Sequence, residues 1–356
     1  MRTFLRRHLP VPLLMFARSA RARLRLRSGL YDARVAVETS TYAACEDVHD
    51  LPPIFHYWSN RYLKPKLAPF GFSHPDEFFR RNLESSYASA GEGPRRFVSI
   101  GAGNCDMEVR LAAALVAKGC TEFTIECLEL NEAMLARGRL HAEAAGVGSH
   151  VVPVRGDFNR WRPRWRYDAV LANQSLHHVI ELERLFNAIH GALASHSLFV
   201  VSDIIGRNGH QRWPEARRVV DELWEDLPSR YRFNHQLQRQ EDRFCDWDCS
   251  VGGFEGIRAQ DVLPQLLERF EFDLFVGFAN IVDPFIDRSF GGNFDPAADW
   301  DRAFIDRGHA RDEAELASGR IKPTHMFAVM RTGSGAASLH LPGLSPRQSV
   351  RWPDSR

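Results

Sequence analysis

The chain has 356 residues, which is enough for about two domains of ordinary size and for a sizeable buried core. Hydrophobic residues make up 44% and charged residues 26%, and this composition excludes a largely disordered or fibrous protein. The formal net charge is only +1, but residues 1–28 contain eight arginines and no acid. The remainder therefore has 38 basic and 45 acidic residues, which argues against a body built to bind nucleic acid.

Residues 1–40 are predicted to form a basic leader. The apolar stretch at 9–17 is interrupted by Pro10 and Pro12 and is followed by more arginines instead of a small-residue cleavage site, so we do not expect a secretory signal peptide. No apolar run reaches the roughly 18 residues that a membrane-spanning helix needs. We expect a cytoplasmic protein. Residues 1–28 either contact an anionic membrane surface, peripherally at the inner face, or form a solvated leader.

The middle of the chain indicates the fold class. Residues 41–93 are rich in aromatic residues and proline and predict helices that pack as a cap. From residue 97 to about 203, short β-rich runs alternate with longer helical ones, which predicts an α/β fold with a doubly wound, mostly parallel sheet. The predicted strands are 97–100, 123–129, 151–155, 167–172 and 198–203, and the predicted helices are 107–118, 132–145 and 181–194.

The remaining third of the chain is less regular. We predict helices at 260–269 and 300–318, and strands at 270–278 and 324–331. One domain is therefore expected over 94–331, with insertions at about 207–260 and 280–322. The tail at 332–356 is rich in Gly, Ser and Pro and is predicted to be disordered.

Six cysteines are too few and too scattered for a disulfide scaffold. Cys245 and Cys249 lie in the run CDWDC, which lacks the usual zinc spacing and a second pair of ligands. We expect all six to be free thiols.

A glycine-containing turn follows the first predicted strand of the sheet. The run RRFVSIGAGNCDMEVRLAAAL passes from a strand through Gly101, Ala102 and Gly103 directly into a helix. Glycines let the backbone approach a ligand closely, and a helix N-terminus offers unpaired N–H groups. Taken alone, the turn is either a ligand loop or an ordinary tight connection.

Polar and aromatic residues follow the next three strands. Glu129 ends the second strand, where nucleoside-binding sheets place the acceptor for the ribose hydroxyls. Asp157 and Phe158 follow the third, offering an acceptor for an amino group and a ring for adenine. Asn173 ends the fourth, at the carboxyl edge where open α/β sheets bind ligands. Four successive strand ends of this kind predict a nucleoside-containing cofactor.

The runs VSIGAGNC, CLELNEAML, RGDFNRW, DAVLANQSLHHV and LFVVSD resemble, in order, the motifs of class I S-adenosylmethionine-dependent methyltransferases. The resemblance covers about residues 95–205 and extends in style to bacterial enzymes acting on small molecules or glycans. It implies a seven-stranded sheet with a late antiparallel strand at 324–331. It also implies S-adenosylmethionine as the cofactor, bound by Gly101, Ala102, Gly103, Glu129, Leu130, Asp157, Phe158 and Asn173.

Two positions depart from the family pattern. Ser99 stands where many members have an acid, and Cys105 stands where many have a third glycine. The first departure weakens the expected contact with the cofactor's amino group, and Asp106 or Asn173 would then supply that contact.

Transfer to a hydroxyl group needs a base that removes its proton. The candidates are His177 and His178 after the fourth strand, Asp203 after the fifth, and His210 in the loop beyond it. His178 is the first choice because the resemblance implies that its loop borders the cofactor's methyl group. The alternative is that this histidine only caps or packs the helix that follows.

No metal is predicted. Asp157, Asp203 and nearby His or Asn residues offer hard ligands, but Asp157 is assigned to adenine and no acidic cluster stands out.

The acceptor is expected to be a small polar molecule or a glycan hydroxyl, methylated on oxygen, with residues 41–93 and 207–260 closing over it. Nucleic acid is not expected, because no N-P-P-Y motif follows the fourth strand and the body is acidic. Two other functions stay open. One is a catalytically silent cofactor-binding interaction subunit, and the other is a nicotinamide-dependent oxidoreductase, against which the missing third glycine argues. The sequence gives no prediction of oligomeric state.

Overall fold

The computed structural model describes residues 30–43, 50–89, 93–333 and 337–352. Cys45 and residues 1–29 of the predicted leader at 1–40, including the segment 1–28 expected to contact a membrane or solvent, lie outside these residues. The helices within them are α1 (Leu30–Ala43), α2 (Pro53–Trp58), α3 (Lys64–Leu67), α4 (Pro75–Ser89), α5 (Asp106–Ala117), α6 (Glu132–Ala144), α7 (Leu182–Ala192), α8 (Pro214–Glu225), α9 (Ala259–Leu267), α10 (Asp283–Ile286) and α11 (Asp299–Ala317).

The strands of the described residues form a large central sheet and a small hairpin. The sheet has eight strands in the order β10-β8-β9-β5-β4-β1-β2-β3. The strands are β1 (Arg95–Ile100), β2 (Phe123–Glu129), β3 (Val151–Arg155), β4 (Tyr167–Asn173), β5 (Leu193–Ile204), β6 (Phe233–Asn234), β7 (Arg239–Gln240), β8 (Glu271–Phe278), β9 (His325–Arg331) and β10 (Leu339–His340), of which β6 and β7 form the hairpin.

The sheet is mostly parallel. Strands β1 to β5 run in the same direction, and β9 is antiparallel to both of its neighbours, β5 and β8. The predicted α/β fold with its late antiparallel strand is therefore confirmed. The strand order reverses between β1 and β4, and in open α/β sheets the ligand crevice lies outside the carboxyl ends of the strands at such a point.

Helices cover both faces of the sheet. Strand β4 shows why, because Ala169, Val170, Leu171 and Ala172 alternate between the two faces and all four are fully buried. One core cluster joins α4 and α5 to the sheet, and a second joins α7 and α9 to the opposite face. Helix α6 begins at Asn131, whose side chain accepts a hydrogen bond from the Ala133 N–H.

The predicted disorder of the tail is wrong for residues 337–352. Strand β10 pairs in parallel with β8 through Leu339 and His340 and adds an eighth strand to the predicted seven. Val350 is buried, and Arg351 forms an ion pair with Glu215 on α8. Composition misled the prediction, because a few apolar side chains are enough to dock a Gly- and Ser-rich segment onto an existing edge.

The segment predicted as a cap, 41–93, is largely helical, and its longest helix, α4, lies against one face of the sheet. Helix α4 packs against β4 and β5 on one face of the sheet, and the ring of Phe78 meets that of Phe327 edge-on at 5.1 Å. The contacts with the predicted site residues come instead from α1, which the sequence assigns mostly to the basic leader.

Two further expectations concern cysteines and membranes. The described cysteines, Cys105, Cys120, Cys127, Cys245 and Cys249, are free. Among the described residues, no helix combines the length and the apolar character that crossing a membrane requires.

A buried carboxyl group gives the fold a pH-dependent stability. Glu108 on α5 is 2% exposed, and its Oε1 accepts a hydrogen bond of 2.6 Å from the Ser99 hydroxyl, whereas its Oε2 has no partner. Burial raises the pKa of Glu108 to about 7. A carboxyl whose pKa is raised in the folded state costs nothing at low pH, and it destabilises the fold progressively as the pH rises from its ordinary pKa to the raised one.

We therefore expect Glu108→Gln to raise the free energy of unfolding by on the order of 3 kcal/mol at pH 8 and to leave it nearly unchanged at pH 4.5. Urea unfolding at the two pH values measures this difference. Glu143→Gln, at an exposed position on α6, is the control and should behave like the parent chain at both. Parallel stability curves for the parent and Glu108→Gln would contradict the account.

Candidate active site

The turn after β1 has the backbone that a ligand loop requires. Gly101, Gly103 and Cys105 all have positive φ, at 69°, 55° and 59°. A Cβ on Gly101 would lie 2.6 Å from the Cβ of Ser175, so only glycine fits there. Cys105 occupies a left-handed position, which explains why glycine is frequent at this point of the motif.

Glu129 lies directly against this turn. Its carboxylate accepts hydrogen bonds from the Gly103 N–H at 3.1 Å and from the Asn131 N–H at 2.9 Å. Burial raises the pKa of Glu129, although these backbone donors oppose the shift. The residue expected to bind a ribose is therefore held by the backbone of the loop that would bind the rest of the cofactor, and Leu130 follows it half-buried.

The predicted adenine residues lie at the neighbouring strand end. The Asp157 carboxylate accepts hydrogen bonds from the Asn159 N–H at 2.9 Å and from the Tyr31 hydroxyl at 2.7 Å. Phe158 is half-buried against the core on the α7 side. Asn173 ends β4 opposite Ser202 of β5, nearer the centre of the same edge.

Helix α1 crosses this edge and contacts several of the same elements. The Thr39 carbonyl accepts a hydrogen bond from the Asn131 side chain at 2.9 Å. The Arg137 guanidinium of α6 donates to the carbonyls of Tyr42 and Ala43. Together with the bond from Tyr31 to Asp157, these contacts fix α1 over the predicted cofactor residues.

The structure also accounts for the two departures in the motif. Ser99 is buried and is hydrogen-bonded to Glu108, so its side chain faces α5. Asp106, one of the two residues expected to replace the missing acid, forms an ion pair with His141 at 3.1 Å. Asn173, the other residue expected to replace that acid, ends β4 opposite Ser202.

The loop after β4 carries two histidines, each tied to a different carboxylate. His177 Nδ1 lies 2.7 Å from Asp203 Oδ1, and His178 Nδ1 lies 2.8 Å from Glu38 Oε1. Their rings are 4.3 Å apart. Each Nε2 atom therefore points away from its partner carboxylate.

The two Nε2 atoms converge on Glu255, from the insertion after β5. His177 Nε2 lies 3.3 Å from Glu255 Oε1, and His178 Nε2 lies 3.4 Å from Oε2. His210 Nε2 lies 3.3 Å from Oε1, and the Tyr42 hydroxyl of α1 donates to Oε2 at 3.3 Å. We call His177, His178, His210 and Glu255 the histidine cluster.

Asp203 organises the cluster and is not free to act as a base. It is fully buried, and it accepts a hydrogen bond from the His177 ring. The presence of His177 and several backbone donors holds the pKa of Asp203 below its usual range, although burial opposes this. The backbone N–H groups of Ser175, Leu176, His177 and Ile204 also donate to this carboxylate.

His210 is held in an unusual conformation. Its φ is 55°, and a Cβ on Gly256 would lie 2.4 Å from its ring. The Nε2 atom is buried and has no hydrogen-bond partner, although Glu255 lies nearby. Strained positions of this type are concentrated at functional sites, where the surrounding structure enforces them.

The protons in the cluster are unevenly distributed. Burial opposes a charge on His177, but Asp203 and Glu255 raise its pKa to about 10. Burial lowers the pKa of His210 to about 3, against the effect of Glu255. The pKa of Glu255 is well below its usual range because the three histidines outweigh its burial. At neutral pH the cluster therefore contains a charged His177, an ionised Glu255 and a neutral His210.

Ser175 connects the glycine turn to the histidine cluster. Its hydroxyl donates to the Ile100 carbonyl at 2.6 Å, and its Cβ packs against Gly101. Because His177 is only two residues further along, the turn and the cluster lie side by side at the carboxyl edge.

The structure thus brings together His178, Asp203 and His210, three residues that the sequence singles out separately. Sequence reasoning missed Glu38, Tyr42 and Glu255. Glu255 lies in the predicted insertion at about 207–260, but nothing in its spacing indicates a histidine partner. Glu38 and Tyr42 belong to a helix that the sequence divides between the predicted basic leader at 1–40 and the predicted cap at 41–93.

Residues 99–201 match the model of a family described as a methyltransferase domain. No curated protein sequence matches the chain.

Solved structures give more distant matches. The plantazolicin methyltransferase BpumL, in complex with SAH, is 11% identical, with 88% of this chain and 99% of that chain covered and a TM-score of 0.39. An S-adenosylmethionine-dependent methyltransferase from Mesorhizobium loti is 17% identical, with 70% and 96% covered and a TM-score of 0.38. Geranyl diphosphate C-methyltransferase from Streptomyces coelicolor A3(2) is 13% identical, with 72% and 79% covered and a TM-score of 0.40. Likenesses this distant carry no information about the acceptor of this chain.

The match begins in β1, ends in β5 and spans the turn and strand ends described above. Residues 99–201 of this chain are therefore similar to a methyltransferase domain.

Proposed function

We propose that the chain transfers the methyl group of S-adenosylmethionine to a hydroxyl oxygen of a small polar molecule or glycan. The observation that carries this proposal is the position of the histidine cluster beside the glycine turn, joined to it through Ser175. A cofactor-binding loop and a set of acid–base groups at one sheet edge are what methyl transfer to a hydroxyl needs.

The cofactor would occupy the carboxyl edge between β1 and β4. Gly101, Ala102 and Gly103 would lie beside its methionine part, and Glu129 would accept from the ribose hydroxyls. Burial supports this role for Glu129. In a site shielded from water, the loss of a hydrogen bond costs more binding free energy, because no water molecule replaces the missing partner. The remaining proposed contacts with the cofactor come from Leu130, Asp157, Phe158 and Asn173.

His178 is the proposed base. Glu38 holds its Nδ1, which orients the ring and leaves Nε2 facing the cluster. In the reaction, a lone pair of the acceptor oxygen forms the new bond to the methyl carbon. The carbon–sulfur bond breaks and its electron pair stays on sulfur, while the hydroxyl proton passes to His178 Nε2. The base needs only to be within hydrogen-bond reach of that proton, with the three reacting atoms in line.

The acceptor class is supported by what surrounds this space. Tyr42, Glu255 and the histidines offer both hydrogen-bond donors and acceptors, as a polar acceptor requires. The insertion at 207–260 supplies His210 and Glu255, which agrees with its expected place beside the acceptor. Helix α1 provides the remaining cover, and excluding water strengthens electrostatic interactions within the site.

Transfer of label from methyl-labelled S-adenosylmethionine to pooled acceptors tests the proposal. We expect labelled products from pools of sugars and other small hydroxyl compounds, and an O-methyl signal in their NMR spectra. Products methylated only on nitrogen or carbon would contradict oxygen as the target. Normal cofactor binding without any transfer, together with a partner chain that co-purifies in fixed ratio, would favour the silent interaction subunit.

A further inference from the structure

Three side chains of the histidine cluster have the arrangement of metal ligands. Among the described residues, one ligand atom from each of His177, His210 and Glu255 lies within 4.8 Å of the other two. Both histidine Nε2 atoms are 3.3 Å from Glu255 Oε1. Two imidazoles and one carboxylate form a donor set that binds zinc and other first-row transition metals.

The separations between these atoms are those expected of ligands around a shared cation. Ligand atoms bound at about 2.0–2.2 Å around a tetrahedral ion are roughly 3.4 Å apart. A charge-assisted hydrogen bond between a histidine and a carboxylate is shorter, at about 2.7–2.9 Å. For His210 the hydrogen bond is absent, because its buried Nε2 has no partner although Glu255 Oε1 is the nearby acceptor.

The surroundings supply the outer partners that metal-bound histidines have. His177 Nδ1 is hydrogen-bonded to the buried Asp203 carboxylate at 2.7 Å, which leaves Nε2 to face the other ligand atoms. Such a carboxylate–histidine pair fixes the ring and increases its strength as a metal ligand. On the other side, the Tyr42 hydroxyl donates to Glu255 Oε2 and leaves Oε1 for the ion.

The backbone holds the third ligand in place. His210 has a φ of 55°, and its ring packs so closely on Gly256 that no side chain fits there. Glu255 immediately precedes this glycine, so the two ligands from the insertion are positioned by one contact. The 35% exposure of the Glu255 side chain leaves a way in for the ion and for a further ligand.

We propose that His177, His210 and Glu255 bind a divalent first-row transition-metal ion, preferentially zinc, with at least one coordination position left open. Because His177 is charged before the ion binds, binding of the ion would release the proton of its Nε2 atom. The sequence gives no sign of this site, because His210 and Glu255 lie far apart in an insertion without metal-binding spacing. The metal site is inferred from the positions of its three ligands and not from the proposed methyl transfer. An experiment can therefore contradict metal binding without contradicting cofactor binding, and the reverse also holds.

The use of the metal does rest on the proposed function. A bound metal ion lowers the pKa of a coordinated hydroxyl group and orients it. An acceptor hydroxyl at the open position would therefore lose its proton more easily beside His178 and would be held for in-line attack.

The test uses the full chain, stripped with a chelator and titrated with Co²⁺ in the absence of S-adenosylmethionine. We expect one Co²⁺ per chain, with visible absorption bands that disappear when Zn²⁺ is added. His210→Ala and Glu255→Gln should each weaken Co²⁺ binding by more than about 100-fold, since even the loss of an outer partner costs 10–100-fold. Circular dichroism should show that both variants fold, and Glu255→Gln preserves the shape of the side chain.

Two control variants separate this site from others. His235→Ala, at an exposed histidine, should bind Co²⁺ like the parent chain. Cys249→Ser removes a thiol on the turn that packs against the His210 turn, and it should also bind normally. The proposal would be overturned by a parent chain that binds neither Co²⁺ nor Zn²⁺, which would make the cluster an ion-pair network only. Binding that is lost in Cys249→Ser but retained in folded His210→Ala and Glu255→Gln would overturn it as well.

Discussion

Replacing His178 by alanine is expected to lower kcat by about 10²–10⁴-fold and to leave the affinity for S-adenosylmethionine nearly unchanged. The reason is that the His178 ring, oriented by Glu38, is the proposed acceptor of the hydroxyl proton. It makes none of the proposed cofactor contacts. Initial rates with a hydroxyl acceptor, together with equilibrium dialysis of labelled cofactor, measure the two quantities separately.

Two further variants make this experiment specific. His56→Ala removes an exposed histidine on α2 and should keep the parent kcat. Glu38→Gln retains a hydrogen-bonding side chain beside His178 but removes the charge, so it should lower kcat by less than His178→Ala. A His178→Ala chain with normal kcat would remove this residue from the catalytic role and pass it to His210.

Replacing Glu129 by alanine is expected to weaken cofactor binding by about 1–3 kcal/mol, or roughly 5–150-fold. The Glu129 carboxylate accepts from the Gly103 and Asn131 backbone and is proposed to accept from the ribose hydroxyls. Its loss would leave those donors without partners in a buried position. Equilibrium dialysis with labelled S-adenosylmethionine measures the change.

Glu132→Ala is the matched control. This side chain lies three residues further along and is 68% exposed in an ion pair with Arg155, so its removal should not change cofactor affinity. Equal affinities for the Glu129→Ala, Glu132→Ala and parent chains would show that the cofactor does not use this strand end.

Much of the fold was predictable because its signals are local. The alternation of apolar strands with amphipathic helices predicts β1 to β5, and the glycine turn with Glu129 and Asp157 indicates where a ligand would lie. The largest difference in the core is β5, which begins at Leu193 and not at residue 198. Its additional residues are LASHS, a largely polar run without the strand-forming character of the residues that follow.

The histidine cluster was only partly predictable because its contacts are long-range. Glu38 and His178 are 140 residues apart in sequence. Glu255 contacts His177 from the insertion at about 207–260, which is also distant in sequence. Composition predicts that a carboxylate is solvated, and nothing local indicates that a buried imidazole will meet it. The same reasoning explains α1, since the arginines before it conceal a helix whose Tyr31, Glu38 and Tyr42 side chains find partners across the sheet edge.

The central claim is that this chain binds S-adenosylmethionine at the carboxyl edge between β1 and β4. Isothermal titration calorimetry of the full parent chain with S-adenosylhomocysteine, S-adenosylmethionine and NADH tests it most directly. We expect saturable heat with both sulfur compounds at a ratio of one per chain, and none with NADH. Absence of heat with either sulfur compound at millimolar concentration, together with clear binding of NADH, would contradict the account and favour an oxidoreductase.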